Sequence, residues 1–213
     1  MDLGKSTLLS IISGLEKKTT GTILLEGKLV EGVSEDIGYM LQSDGLLEWR
    51  TIYENVMFGL EIRHKRKEQT EKYAEDLLKK YNLYEFKDKY PNQLSGGMRQ
   101  RVALIRTLSV KPQILLLDEA FSALDYQTRI MVTNDIFQIL KNEQITTIMV
   151  THDISEAISM ADRIIVLSQR PGEILSVHQM EFEEKNQEPI SRRNNSKFSN
   201  YFNTLWKELG IKK

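Results

Sequence analysis

The chain has 213 residues, a formal net charge of −1 and no cysteine. The length suits one domain with an embedded subdomain. The near-neutral charge offers no global field for nucleic acid, and the lack of thiols excludes a disulfide framework or a thiolate metal centre. Hydrophobic residues at 40% and charged residues at 28% place it among ordinary globular chains. No apolar run reaches the length of a membrane span and no secretory signal is visible. A cytoplasmic chain is expected, with any membrane role arising through a partner.

In chain order, Gly4-Lys5-Ser6-Thr7 comes first. Gly4, Lys5 and Ser6 match the last three places of the phosphate-cradling pattern G-x-x-x-x-G-K-[ST]. In that pattern the lysine reaches phosphate oxygens and the hydroxyl ligates magnesium; Thr7 adds a further donor. The first glycine of the pattern falls before Met1, and Asp2 would set a carboxylate against phosphate. Met1-Asp2-Leu3 is therefore expected to be a false start of a truncated loop. Leu8 to Leu15 follows as the phosphate-binding helix, ended by Gly14. Thr22 to Leu25 and Asp36 to Leu41 have the pattern of strands, and Gln42, by itself a surface residue, follows the second.

Leu46, Leu47 and Trp49 are apolar residues that either pack internally or form a patch for a partner helix. The mixed-charge stretch His64 to Lys72 predicts a solvated helix face or linker. Tyr73, Leu77, Leu78 and Tyr81 share one helical face. Ser95-Gly96-Gly97-Met98 then opens a helix that runs to Leu108. Serine is a favoured N-cap, glycines allow close backbone approach, and a helix N-terminus favours an anion. Arg99 and Arg101 either support phosphate or, the favoured reading, stand on its solvated face, with Val102, Ile105 and Leu108 buried.

Ile114 to Leu117 is wholly apolar and predicts a strand buried on both faces. It ends in two carboxylates, Asp118 and Glu119, where open α/β sheets bind ligands. One can hold magnesium and the other can orient or deprotonate a water. Ser122 to Asp125 turns the chain, and Ile130 to Lys141 has a helical pattern with Ile136, Phe137 and Leu140 inward. Thr146 to Thr151 predicts another buried strand, and His152 stands at its end. Glu156 to Met160 predicts a helix, Arg163 to Leu167 a strand, Arg170-Pro171-Gly172-Glu173 a turn, and Ile174 to Val177 a strand completing a hairpin. Met180 to Lys213 is expected as a surface extension carrying a short amphipathic helix, Tyr201 to Leu209.

The succession Gly4-Lys5-Ser6-Thr7, Gln42, Leu94 to Met98, Asp118-Glu119, Ser122 to Asp125 and Thr151-His152-Asp153 closely resembles the ATP-binding subunit of ABC transporters, as far as about Ile174. The resemblance implies an α/β P-loop NTPase (RecA-like) core with an inserted α-helical subdomain and with N-terminal strands missing. It implies a partial core at 1–42, a helical subdomain at 43–94, the signature helix and remaining core at 95–178, and an extension at 179–213.

The resemblance also assigns the site. ATP is held by Gly4, Lys5, Ser6 and Thr7 of one subunit and by Ser95, Gly96, Gly97 and Met98 of another in a head-to-tail homodimer, with Asp125 in a loop crossing between them. Ser6, Gln42 and Asp118 manage Mg2+, Glu119 is the general base, and His152 orients water and Glu119. The implied partners are integral membrane permease subunits and, indirectly, a solute-binding protein, with no nucleic acid. The implied place is the cytoplasmic face of the membrane. Met98 to Arg101, Leu46 to Trp49 and Arg170 to Gly172 most resemble the nitrate, sulfonate, taurine and thiamine-precursor importers. Two other readings are a non-hydrolysing truncated interaction subunit and a soluble ABC ATPase acting on nucleic acid. The second of these lacks support, because no coiled-coil insertion or tandem cassette is present.

Overall fold

A computed structural model describes residues 4–168, 172–182 and 188–210. Gly4, with a left-handed backbone (φ +80°), opens helix α1 (Lys5–Ile12). A short hairpin pairs β1 (Leu24–Leu25) with β2 (Lys28–Leu29). Strand β3 (Ile37–Met40) leads to helices α2 (Ile52–Ile62) and α3 (Glu68–Lys80). Two 3-10 turns carry the chain to α4 (Gly96–Leu108) and β4 (Ile114–Asp118). The rest comprises α5 (Tyr126–Asn142), β5 (Thr146–Val150), α6 (Ile154–Met160), β6 (Arg163–Leu167), β7 (Ile174–Gln179), α7 (Pro189–Arg193) and α8 (Ser196–Glu208).

β4 is the centre of a three-stranded parallel sheet in the order β3-β4-β5. Its run Leu115-Leu116-Leu117 is fully buried, as an uninterrupted apolar run between two paired neighbours should be. One apolar core joins β4 to α2, α3, α4 and α5, through residues such as Ile52, Leu78, Leu104 and Ile136. The helix α2 is started by a reciprocal cap: the Glu54 amide donates to Thr51 Oγ1, and the Thr51 amide donates to Glu54 Oε2. The charged stretch His64 to Lys72 is no linker throughout, because its last residues form the first turn and a half of α3.

The expectation of a buried strand at Thr146 to Thr151 is corrected. β5 is only partly covered, and Ile148 is 38% exposed. Its β-branched residues make it a strand, but among the described residues it pairs on one side alone, with β4. β6 and β7 form their own antiparallel hairpin, which does not pair with β5. Of the turn expected before β7, Arg170 and Pro171 lie outside the described residues, as does the expected false start at residues 1–3.

The carboxy-terminal segment is more than a surface extension. The amphipathic helix α8 packs Leu205, with Phe198, Tyr201, Phe202 and Trp206, on Ile154, Ile158 and Val166. Arg192 of α7, only 3% exposed, donates to the Ala161 carbonyl (2.8 Å), and its guanidinium lies over the rings of Phe137 and Phe182. A long side chain that is apolar along its stem and cationic at its tip can be buried this way when its head finds partners.

Candidate active site

The start of α1 and the end of β4 converge. The amides of Lys5, Ser6 and Thr7 precede the first intrahelical bond, which runs from the Leu8 amide to the Gly4 carbonyl. They are the donors that a helix leaves without internal partners. Among the described residues no acidic residue belongs to that first turn, so the positive end of the helix faces outward for an anion. Ser6 Oγ donates to Asp118 Oδ1 at 2.9 Å, across 112 residues of sequence. Lys5 is half-buried beside it and Thr7 is exposed.

Asp118 is buried and its second oxygen is also engaged. Tyr39 of β3 donates its hydroxyl to Asp118 Oδ2 at 3.2 Å. Burial pushes the Tyr39 phenol above its usual range, and the Asp118 charge adds to that. The carboxylate is therefore held by hydroxyls on two different elements. An oxygen-rich corner with one carboxylate and a serine hydroxyl, next to bare helix amides, suits a magnesium–phosphate pair.

Glu119 follows in a left-handed backbone conformation (φ +46°), which is rare for a residue with a side chain. Its amide is fixed on the Val150 carbonyl (2.9 Å). The turn carries its carboxylate to His152, whose Nδ1 lies 3.1 Å from Glu119 Oε2. The ends of β4 and β5, adjacent in the parallel sheet, thus bring together two residues that are far apart in sequence. Gln42, just past β3, donates its amide to Ser122 Oγ at 3.3 Å. Ser6, Gln42, Asp118, Glu119 and His152 therefore cluster around the carboxyl ends of the three parallel strands.

The Ser95 turn lies elsewhere. Ser95 caps α4, with its Oγ accepting from the Met98 amide at 3.3 Å. Gly97 is buried, and a Cβ there would come within 2.6 Å of Val132 on α5. Its smallness serves helix packing, whereas Gly96 is exposed and leaves its backbone accessible. Asp125 caps α5 by accepting from the Thr128 amide (3.1 Å). Neither this turn nor Asp125 is hydrogen-bonded to the Ser6–Asp118 group within one chain.

Two features were missed in the sequence. Tyr39 is a polar aromatic in an otherwise apolar strand, paired with Leu116 and so on the same sheet face as Asp118. A polar aromatic inside that apolar run was the available signal; the face it shares with Asp118 depends on the pairing register. Arg99 and Arg101 were expected on a solvated face, and this is corrected. Arg99 grips Asp44 and Glu48, and Arg101 lies 3.6 Å from Asp135.

A parallel α/β sheet with a glycine-opened helix at its strand ends defines the P-loop NTPase fold. A family model described as ABC transporter matches residues 3–122. An ABC transporter ATP-binding protein of Bacillus subtilis, YtlC, is 46% identical over 206 residues, covering 97% of this chain and 79% of that protein. The taurine import ATP-binding protein TauB of Escherichia coli is 41% identical over 172 residues, covering 81% of this chain and 68% of that protein. The solved structure of cbiO1 from Clostridium perfringens, part of the ABC transporter complex cbiONQ, matches with a TM-score of 0.73 and 26% identity, covering 98% of this chain and 82% of that one. The chain belongs to the ABC transporter ATP-binding family.

Proposed function

We propose that this chain binds and hydrolyses ATP to energise solute import through membrane permease subunits. The observation that carries the proposal is the meeting of Ser6 with Asp118 and of Glu119 with His152 at adjacent strand ends. Bound Mg-ATP would supply the reacting phosphoryl group and the cation that neutralises its charge. Gly4 to Thr7 bind phosphate through backbone amides and the Lys5 ammonium. Asp118 and Ser6, with Gln42, hold the cation. Glu119 accepts the proton of the attacking water, and His152 fixes the Glu119 carboxylate.

The turn Ser95-Gly96-Gly97-Met98, in which Ser95 and Gly96 are exposed, serves a second copy with Asp125, so that each nucleotide lies between two subunits. The divisions at 42, 94 and 178 belong to this reading. The permease seat is a cleft of about 350 Å³ beside α2, lined among others by Trp49, Tyr53, Glu54, Met57 and Arg66. The taurine import protein among the relatives favours an importer of the nitrate, sulfonate, taurine and thiamine-precursor group. A non-hydrolysing interaction subunit is the alternative.

The test is Glu119→Gln. ATP binding should persist while turnover falls about 100-fold or more, the range expected for loss of a general base. Unchanged turnover would remove Glu119 from this role. No turnover by the unaltered chain, with intact ATP binding, would favour the alternative.

A further inference from the structure

We propose that Arg129 of α5 is the positioning residue of the Glu119–His152 pair: its guanidinium ties together the two loops that present those side chains. The proposal rests on the ATPase reading above and adds a residue outside every group assigned to the nucleotide.

The chain between β4 and α5, residues 119–125, has no regular structure, and the turn between β5 and α6 is Thr151 to Asp153. Glu119 opens the first, and His152 is the middle of the second. Arg129 reaches both. Its Nη2 donates to the carbonyls of Leu124 at 2.8 Å and Ser122 at 3.3 Å. Its Nη1 lies 3.6 Å from Asp153 Oδ2. On the first side, the Ser122 amide donates to the Glu119 carbonyl at 3.1 Å. On the second, Asp153 follows His152 directly, and its amide donates to Thr151 Oγ1 at 3.0 Å. Asp153 Oδ1 accepts from the Glu156 amide at 3.1 Å, and the Thr151 hydroxyl donates to the Glu156 carboxylate.

Both ends of this arrangement need support. A left-handed backbone at a residue with a side chain persists only where its surroundings hold it. Glu119 has that conformation, and the bond from its amide to Val150 fixes only the side towards β5. Arg129 holds the far side of the same loop.

The place of Arg129 is otherwise unfavourable. It is the fourth residue of α5 and stands beside Asp153, the N-cap of α6. A cation is disfavoured at the positive end of a helix. Its Nε is buried without a hydrogen-bond partner, which is a further cost. The contacts to the two carbonyls and to Asp153 offset these costs, and they lead to the loops of Glu119 and His152. A planar guanidinium offers donors in two directions from one rigid fork, which the point charge of a lysine does not.

Two readouts test this, one of them without nucleotide. The chain has three histidines, His64, His152 and His178, so the His152 ring signals in a nitrogen spectrum of histidine-labelled protein are identified by their loss in His152→Gln. Glu119→Gln should shift those signals, because the two side chains touch. In an Arg129→Ala background the same substitution should shift them less than half as far. Asp153→Asn keeps an oxygen to cap α6 and removes the charge facing Arg129, and it should act in the same direction. In turnover, Arg129→Ala should lower kcat about tenfold or more while the ATP concentration at half-saturation moves less than about threefold. Arg129→Lys, which keeps the charge and loses the fork, should give a smaller loss in both readouts, and it carries the test should Arg129→Ala not melt cooperatively. Asp135→Asn, further along α5 and facing Arg101, should leave both readouts unchanged.

A full His152 response in the Arg129 variants and in Asp153→Asn would overturn the proposal. So would normal kcat in Arg129→Ala, or His152 signals that ignore Glu119→Gln in the unaltered chain. A halved response in a chain whose unaltered form turns over no ATP would uphold the tie between the loops and sink the ATPase reading instead.

Discussion

Two regions of the molecule use the same kinds of residue to different ends. Around α4, Val102, Ala103, Leu104 and Ile105 are all fully buried, in a core shared with four other elements. Along the edges of β5 and β6, Ile148 and Ile165 are 38% and 49% exposed. Nothing in the residue types separates the two. The difference lies in neighbours: α4 is enclosed by α2, α3, β3 and α5, whereas β5 and β6 each have one paired side among the described residues. The proposed catalytic cluster lies where these regions meet. Asp118 and Glu119 end the buried strand, and His152 follows the half-open one.

The sharpest break in this comparison is a cavity. Leu104→Ala should cost about 2–5 kcal/mol, because the enclosed core around it cannot collapse fully. Ile148→Ala on β5 should cost about 1 kcal/mol or less, since much of its surface is already in water. Urea melts of both variants measure the contrast, and equal losses would erase it.

A smaller effect tests the buried side of the cluster. Tyr39→Phe removes one donor from Asp118 and changes little else in volume. The Mg2+ concentration that gives half of the ATP-dependent thermal shift should rise roughly 3- to 10-fold, on the order of 1 kcal/mol. A lower melting point with an unchanged Mg2+ midpoint would make Tyr39 structural only.

The smallest effect lies on the half-open side, just past β5. Glu156 is buried on α6, accepts the Thr151 hydroxyl, and has Oε1 unpaired. Burial raises its pKa above the ordinary 4.5. A raised folded-state value means that this group favours folding below the unfolded pKa and loses that contribution as pH rises through the folded one. Glu156→Gln, which stays neutral, should melt about 2–4 °C higher at pH 7.5, an effect of about 1 kcal/mol. At pH 4 the gain should vanish. An equal difference at both pH values would point to packing rather than charge.

Much of this was legible in the sequence, for local reasons. The apolar run from Ile114 to Leu117 fitted a strand buried on both faces, and Ser95 followed by two glycines marked a helix start. What escaped depended on distant partners. Asp44 and Arg99 are 55 residues apart, so nothing near Arg99 shows that it is tethered rather than solvated. Tyr39 meets Asp118 across 79 residues. Its strand was recognised, but the pairing register that aligns the two side chains is a tertiary fact. The exposure of β5 escaped for the same reason, because β-branched residues favour a strand without saying how many neighbours it has. The docking of α7 and α8 escaped because a charged, Asn- and Ser-rich stretch hides the few residues, Arg192 and Leu205 among them, that hold it down.

The most direct test of the central claim is a thermal melt of this chain with and without Mg-ATP. A ligand that binds only the folded state stabilises it by mass action, about 2.7 kcal/mol at 100 times the Kd. If the α1 amides, Lys5, Ser6 and Asp118 hold Mg-ATP as proposed, the midpoint rises with Mg-ATP and falls back when EDTA removes the cation. A midpoint that is the same under all three conditions would contradict the claim.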